Sequence, residues 1–145
     1  MLVPSSNRRV FSIDKHAGIV ATGYQSDGRQ IVNRAREEAS SYRDTYGAHI
    51  IPSVLANRLS LYVHYFTSYG SLRPFGVTSV LAAFDEDTKT PELYMLEPSG
   101  LALRYFGCAA GKGANAAKTE LEKLLNNKAE AGITCRDAVT QLTRM

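Results

Sequence analysis

The segment GCAAGKG, residues 107–113, is the part of the sequence that comes nearest to a known chemical motif. A phosphate-binding loop reads Gly-x-x-x-x-Gly-Lys followed by Ser or Thr, because its backbone N–H groups cradle phosphates and its hydroxyl binds magnesium. Here the first two glycines are one residue too close, and Gly113 occupies the position of the hydroxyl residue. The segment therefore does not predict a nucleotide site.

Histidine and cysteine, the side chains that most often bind zinc, are few and scattered. His16, His49 and His64 are far apart and show no zinc-ligand spacing with cysteine or carboxylate residues. Cys108 and Cys135 form no metal-binding pair, and we interpret them as small buried thiols in a reducing compartment. We expect no metal site and no cofactor.

Nucleophilic catalysis is also disfavoured by the sequence. No Gly-x-Ser-x-Gly elbow occurs. An amino-terminal nucleophile would require Thr, Ser or Cys at the start of the processed chain, whereas this chain starts Met1-Leu2 and contains no Gly-Thr pair. We expect no catalytic residues.

Composition limits the remaining classes. The 145 residues are 44% hydrophobic, which is enough for one domain with a core, and we expect a single domain over residues 1–145. The net charge of +3 is spread along the chain without a basic patch, so nucleic acid is not an expected partner. No apolar run reaches the length of a membrane span, and no signal-peptide core is visible. We therefore expect a soluble intracellular protein without a membrane partner.

The pattern of apolar and polar residues predicts the secondary structure that would position any site. The predicted order is two strands, two helices, three strands and two helices. Apolar and polar residues alternate in residues 10–14, and β-branched residues follow a turn at residues 15–18. A long helix is predicted to be capped by Ser26 or Asp27 and to end at Gly47. A second helix is predicted to open at Pro52, with Ser53 as its cap.

The stretch from Tyr65 to Phe84 joins the two halves of this pattern. We expect the helix to end at Tyr69, with Gly70 in the left-handed conformation, and Pro74 to prevent further helix. A strand is predicted from Phe75 to Phe84, apolar on both faces, covered on both faces and central in its sheet.

The last third of the chain is predicted to complete the sheet and to add two helices. The charged turn at residues 85–91 is followed by strands at residues 93–96 and 101–110. One helix is then predicted with an inward stripe, and another with a capping box at Thr134 and Asp137. The first of these helices is predicted to turn Ala114, Ala117, Leu121, Leu124 and Leu125 inward. The second carries Ala138, Val139 and Leu142 as its apolar residues. The pattern indicates an α+β layered sandwich with a five-stranded antiparallel sheet.

Several segments resemble proteasome alpha-type subunits. YFTSYGSLRPFGVTSVLAAFD (residues 65–85) and PELYMLEPSG (91–100) are similar to the family's helix end, R-P-F-G and Pro-Ser-Gly turn. GRQIVNRAREEASSYRDTYG (28–47) resembles its first long helix. AAKTELEKL (116–124) and TCRDAV (134–139) are similar to the type-3 branch of these subunits in particular.

The resemblance implies the four-layer αββα fold of the amino-terminal nucleophile hydrolases, without an active-site threonine. It implies a structural subunit of the 20S core that forms a seven-membered ring with other alpha subunits and caps the beta rings. Such a ring gates substrate entry and docks regulatory particles in ubiquitin-dependent degradation, in cytoplasm and nucleus. A catalytically active hydrolase of the same fold, either a beta-type threonine protease or an amidase, remains the alternative.

The resemblance also implies which residues serve the ring. Tyr24 and Gln25 match a position that lines an inter-subunit pocket. The remaining expected interface or framework residues lie at the helix end, the R-P-F-G corner and the Pro-Ser-Gly turn: Tyr65, Tyr69, Arg73, Pro74, Phe75, Gly76, Pro98, Ser99 and Gly100.

Compared with the family pattern, the chain is expected to be truncated at both ends. The resemblance begins just before the family's third strand and stops inside its last helix. We therefore expect an incomplete sandwich with one five-stranded sheet and about four helices, whose inner sheet face is apolar and exposed.

Overall fold

The computed structural model describes residue 3 and residues 6–127 and 134–144. The chain divides into two compact units, Met1–Phe106 and Gly107–Met145. The prediction of a single domain over residues 1–145 stays a prediction.

The first unit contains five strands and two helices in the predicted order. They are β1 (Val10–Asp14), β2 (Ala17–Gly23), α1 (Gln25–Tyr46), α2 (Pro52–Ser68), β3 (Val77–Asp85), β4 (Thr90–Leu96) and β5 (Ala102–Arg104). The strands form one antiparallel sheet in the order β1-β2-β3-β4-β5, so the prediction that β3 is central is confirmed. The α+β class and the five-stranded sheet are confirmed with it.

The core lies between α1, α2 and one face of this sheet. The helices contribute stripes of buried residues at three-to-four spacing, and the strands contribute alternate residues. Buried members include Ile31, Ala35 and Ala39 of α1, Leu55, Leu59 and Val63 of α2, and Ile19, Val77 and Leu81 of the sheet.

The opposite face of the sheet carries an apolar row that crosses all five strands. Its members are paired in register, from Val10 through Val20, Val80 and Met95 to Leu103. Val10 is 69% exposed and Leu103 46% exposed. In β3, Ala82 and Phe84 are also exposed on this face, so two-sided cover of β3 is wrong for the described part of the chain.

Several predicted strand boundaries are wrong. The strand predicted to begin at Phe75 begins at Val77, and the strand predicted for residues 101–110 ends at Arg104. The second strand begins at Ala17 rather than at residue 19. Beyond Arg104 the chain leaves the sheet, and Gly111 has a φ of 115°, which only glycine adopts readily.

The helix caps differ from the prediction because α1 and α2 both begin before the residues predicted to cap them. Tyr24 and Ile51 are the N-cap residues of α1 and α2, neither with a side-chain cap bond, so Ser26, Asp27 and Ser53 do not cap. Pro52 lies in the first turn of α2, where its missing N–H costs nothing.

The helix ends are partly as predicted. Gly47 ends α1 in the left-handed conformation, with a φ of 70°, as the sequence indicated. At the end of α2, the C-cap residue Tyr69 is extended and Gly70 is not left-handed, so the predicted left-handed Gly70 is wrong.

The second unit contains α3 (Ala114–Asn127) and α4 (Cys135–Leu142). The predicted inward stripe of α3 is its half-buried side. Thr134 caps α4 by accepting from the N–H of Asp137, as predicted. Val139 and Leu142 of α4 are 61% and 54% exposed.

Candidate functional site

A buried carboxylate, Asp27, connects the start of α1 to the corner before β3. Arg73 donates to it through both terminal nitrogens, with Nη1–Oδ2 and Nη2–Oδ1 distances of 2.7 and 2.8 Å. The backbone N–H of Gly76 donates to the same Oδ2 at 3.0 Å. Asp27 is 4% exposed, whereas the side chain of Arg73 is 68% exposed. The buried Asp27 therefore fixes the corner from inside the fold, while the Arg73 side chain remains largely exposed to solvent.

These bonds hold both groups in their charged forms. The hydrogen bonds from Arg73 and from the Gly76 N–H outweigh burial and lower the pKa of Asp27 to about 2. The hydrogen bond and charge of Asp27 in turn raise the pKa of Arg73. A bidentate guanidinium–carboxylate pair of this kind fixes orientation as well as distance.

Tyr24 covers the same corner from the other side. Its N–H donates to the carbonyl oxygen of Gly76 at 3.0 Å. A Cβ on Gly76 would lie 2.4 Å from Tyr24 Cδ2, and a Cβ on Gly23 would lie 2.1 Å from the Gly76 oxygen. Both glycines are therefore required by close approach. The Tyr24 side chain nevertheless remains 69% exposed.

An aromatic cluster lies along α2 and ends at the corner. Phe66 and Phe75 have ring centroids 4.5 Å apart, and Tyr62 packs edge-on against Phe66 at 5.2 Å. Tyr65 and Tyr69 stack on each other at 4.6 Å and are 51% and 53% exposed. The cluster thus has an inner part in the core and an outer part in contact with solvent.

The Pro98-Ser99-Gly100 turn packs against the middle of α2. Gly100 has a φ of 89°, and a Cβ there would lie 2.7 Å from His64 Cβ. The hydroxyl of Ser60 donates to the Gly100 carbonyl, and a His64 ring nitrogen lies 3.3 Å from the Ser99 carbonyl. The turn is a packing contact that positions β4 and β5 against the helix.

The whole chain matches a known protein family. The family model for the proteasome subunit matches residues 1–144. The chain belongs to the proteasome subunit family.

Three relatives show where this proteasome subunit lies within the family. Proteasome subunit alpha type-3 of Acanthamoeba castellanii is 47% identical over 145 residues, all of this chain and 55% of that protein. The Arabidopsis thaliana protein of the same name is 48% identical, and this chain covers 56% of it. The probable proteasome subunit alpha type-7 of Schizosaccharomyces pombe is 47% identical, with 55% covered. The chain spans little more than half the length of these relatives.

The family recognised from the sequence is thus confirmed, and the alpha type with it. Among the described helices of this proteasome subunit, none has both the length and the apolar character needed to cross a membrane.

The structure brings the expected site residues into two groups. Tyr24 and residues 73–76 form the corner, and Pro98, Ser99 and Gly100 form the turn on α2. Tyr65 and Tyr69 extend from the corner along α2, and Gln25 lies apart, with its amide 3.3 Å from the Ser6 carbonyl. Asp27 links α1 to the corner and does not cap the helix. It is separated from Arg73 by 46 positions, and no sequence signal pairs the two residues.

A charged network joins the two long helices. Glu38 of α1 accepts from Arg34 on its own helix and from Arg58 of α2, the latter at 2.9 Å. The guanidinium of Arg34 lies 5.2 Å from the Tyr62 ring centre, and that of Arg58 lies 5.6 Å from the Tyr42 ring centre. The Arg34–Glu38 pair, which has i,i+4 spacing, is therefore part of a contact between α1 and α2.

The expectation that the histidines lie far apart is wrong in the fold. His16 and His49 come within 4.8 Å of each other by ring centroid, and Asp14 lies beside both. The β1–β2 turn and the α1–α2 loop meet there. The sequence did not indicate this contact because His16 and His49 are far apart along the chain. His64 is elsewhere, on α2 beside Ser99.

Two hydroxyls lie beside the His64 ring near the end of α2: Thr67 Oγ1 is 3.3 Å from Nδ1, and Ser68 Oγ is 3.4 Å from Nε2. Each hydroxyl donates its one hydrogen to the backbone carbonyl of His64, at 2.7 and 3.1 Å, and so has none to donate to the ring. Burial raises the pKa of Cys108, which keeps it protonated. Cys135 is exposed, which contradicts its assignment as a buried thiol.

Proposed function

We propose that this chain serves as a non-catalytic, alpha-type subunit of the 20S proteasome core, most similar to type 3. It would stand in the outer seven-membered alpha ring, which gates substrate entry and docks regulators in ubiquitin-dependent degradation. The observation that carries this proposal is the match to alpha-named relatives across all 145 residues at 47% identity.

The chemistry of the described residues supports a structural role. Arg73, the exposed cation of the corner, is committed to Asp27, and the hydroxyls beside His64 are committed to a backbone carbonyl. Active hydrolases share the fold, so a beta-type threonine protease or an amidase is the alternative, and it requires a processed amino-terminal nucleophile.

The expected site residues have two proposed roles, contact with neighbouring subunits and support of the contact surface. Tyr24, Tyr65 and Tyr69 are each more than half exposed, which suits contacts with neighbouring subunits, where tyrosine is enriched. We assign Gln25 to the same surface. The others act as framework that fixes this surface: Arg73, Pro74, Phe75, Gly76, Pro98, Ser99 and Gly100.

The partners that follow are other alpha subunits, the beta-ring subunits and the regulatory particles. The cytoplasm and the nucleus are the proposed compartments. Neither nucleic acid nor a membrane is a proposed partner, since the net charge of +3 is spread rather than gathered into a patch.

Affinity purification of the tagged chain from cells of its source organism tests the proposal. We expect peptidase activity and other proteasome subunits to co-purify, and the chain made alone to hydrolyse no peptide. The alternative predicts hydrolysis by the chain alone that one Thr, Ser or Cys substitution abolishes.

A further inference from the structure

Asp14, His16 and His49 form a cluster in which one ligand atom from each residue lies within 4.8 Å of the other two. Asp14 Oδ2 lies 3.1 Å from His49 Nδ1 and 3.7 Å from His16 Nδ1. The side chains of Asp14 and His16 are each only 5% exposed, and that of His49 is 27% exposed. The cluster is thus buried with one ring at its rim.

The His16 ring leaves a buried nitrogen without a hydrogen-bond partner. Its Nε2 lies 2.9 Å from the carbonyl oxygen of Ile50, which only accepts, so Nε2 carries a hydrogen. In the neutral ring Nδ1 is then a lone pair, and this buried atom has no hydrogen-bond partner. It faces a carboxylate oxygen. Two acceptors that face each other in a buried site favour a cation between them.

We propose that Asp14 Oδ2, His16 Nδ1 and His49 Nδ1 bind a divalent transition-metal cation of the zinc class. Two imidazoles and one carboxylate form a ligand set that suits Zn²⁺, with water completing the tetrahedron. Ligand atoms of a tetrahedral zinc lie about 3.4 Å apart, given bond lengths of about 2.1 Å. The distances from Asp14 Oδ2 to the two histidine nitrogens, 3.1 and 3.7 Å, lie on either side of this value.

The second ring nitrogen of His16 donates to the Ile50 carbonyl, the outer contact that metal-bound histidines have. The second ring nitrogen of His49, Nε2, lies 3.9 Å from Glu86 Oε1, which is beyond hydrogen-bond distance. His49 Nδ1 now donates its hydrogen to Asp14. Metal binding at Nδ1 therefore requires the hydrogen of the neutral ring to lie on Nε2.

Arg43 is the competing cation, because its guanidinium also contacts Asp14 Oδ2. Its side chain is 46% exposed and can withdraw to solvent, whereas the histidines are held by the β1–β2 turn and the α1–α2 loop. Asp14 is ionised and ready to bind: burial raises its pKa, but hydrogen bonds from Arg43, the Lys15 N–H and His49 lower it to about 2.

Calorimetric titration of the untagged chain with Zn²⁺ tests the proposal, with Co²⁺ as a spectroscopic probe of tetrahedral geometry. The experiment is repeated in a Cys108→Ser, Cys135→Ser variant to remove thiol ligands. His49→Gln is the test variant because its ring lies at the rim, and His64→Gln is the control because that histidine is outside the cluster. Circular dichroism verifies that each variant is folded.

We expect one Zn²⁺ per chain in both backgrounds, binding weakened about tenfold or more in His49→Gln, and unchanged binding in His64→Gln. Nitrogen NMR should show the hydrogen of His49 moving to Nε2 when Zn²⁺ is added. Ca²⁺ and Mg²⁺ should not compete, because they prefer oxygen ligands. Absence of stoichiometric binding, loss of binding with the cysteines, or equal binding by the two histidine variants would overturn the proposal.

Discussion

Tyr24 and Gly76 are joined through both backbone and ring. The Tyr24 N–H donates to the Gly76 carbonyl at 3.0 Å, and the Tyr24 ring fills the space that a side chain on residue 76 would occupy. The start of α1 and the corner before β3 are therefore one structural unit, which Asp27 and Arg73 lock from the other side.

Gly76→Ala should disturb this unit. The added methyl lies 2.4 Å from Tyr24 Cδ2, so we expect a loss of roughly 1–2 kcal/mol in the free energy of unfolding and a displaced Tyr24 ring. Denaturant titration and NMR of the ring check both effects. Gly70→Ala, where nothing lies within 4 Å, is the control and should be neutral. Adding Tyr24→Ala should recover part of the loss. Equal stability of the two alanine variants would contradict the packing described.

Stability should fall as the solution becomes acidic. Asp14 and Asp27 both have a pKa lowered to about 2 in the fold, whereas an unfolded aspartate titrates near ~3.9. Between these values the unfolded chain binds more protons, so stability is present above about pH 4 and is lost as the pH falls towards about 2. Asp27 alone contributes on the order of 2 kcal/mol. Denaturant midpoints measured from pH 7 downwards check this.

The matched variant for the pH profile is Asp27→Asn, which keeps the shape and removes the titrating group. Its stability at pH 7 should be lower by about 1–3 kcal/mol, because the buried carboxylate that accepts from Arg73 is lost. Its decline in acid should also be shallower. An unchanged acid profile in this variant would show that the Asp27–Arg73 pair does not stabilise the fold.

Glu38 should contribute more to the stability of the fold than its neighbour Glu37. The Glu38 side chain is 13% exposed and accepts from Arg34 and Arg58, so Glu38→Ala should cost about 1–3 kcal/mol. Glu37 is 69% exposed with a single 3.9 Å contact, and Glu37→Ala should cost at most about 0.5 kcal/mol. Thermal unfolding of the two variants side by side gives the comparison, and similar midpoints would refute a stabilising contact between the helices.

Tyr65 and Tyr69 should affect assembly more than folding. Each is about half exposed, and their stacking accounts for roughly 0.5–1.5 kcal/mol. We expect the double alanine variant to fold, with a small loss of stability, but to co-purify poorly with proteasome subunits. Tyr46→Ala, which removes a tyrosine that is 64% exposed on α1, is the control. Normal recovery of partners by the double variant would remove these residues from the interface.

The sequence predicted the order of elements because alternation in strands and stripes in helices are local patterns. Gly47 and Thr134 were identifiable as helix ends for the same reason. The caps predicted at Ser26, Asp27 and Ser53 were wrong because both helices begin earlier, with Tyr24 and Ile51 as N-caps. Asp27 bonds a residue 46 positions away.

The site was predictable to a similar extent. The motifs identified the corner and the Pro-Ser-Gly turn, since their residues are adjacent in sequence. The Asp14–His16–His49 cluster was missed because His49 is 35 residues from Asp14 and joins it only when two loops meet. The strand predicted over residues 101–110 was too long because an apolar run does not reveal where a chain leaves its sheet.

We propose that this chain is a structural alpha-type subunit of a proteasome core. Native mass spectrometry of particles purified through the tagged chain, combined with peptidase assays on the same fractions, is the decisive experiment. We expect one copy of the chain in each seven-membered alpha ring of peptidase-active particles, and no activity in fractions of the free chain. A chain found only outside such particles, or hydrolysing peptides on its own, would contradict it.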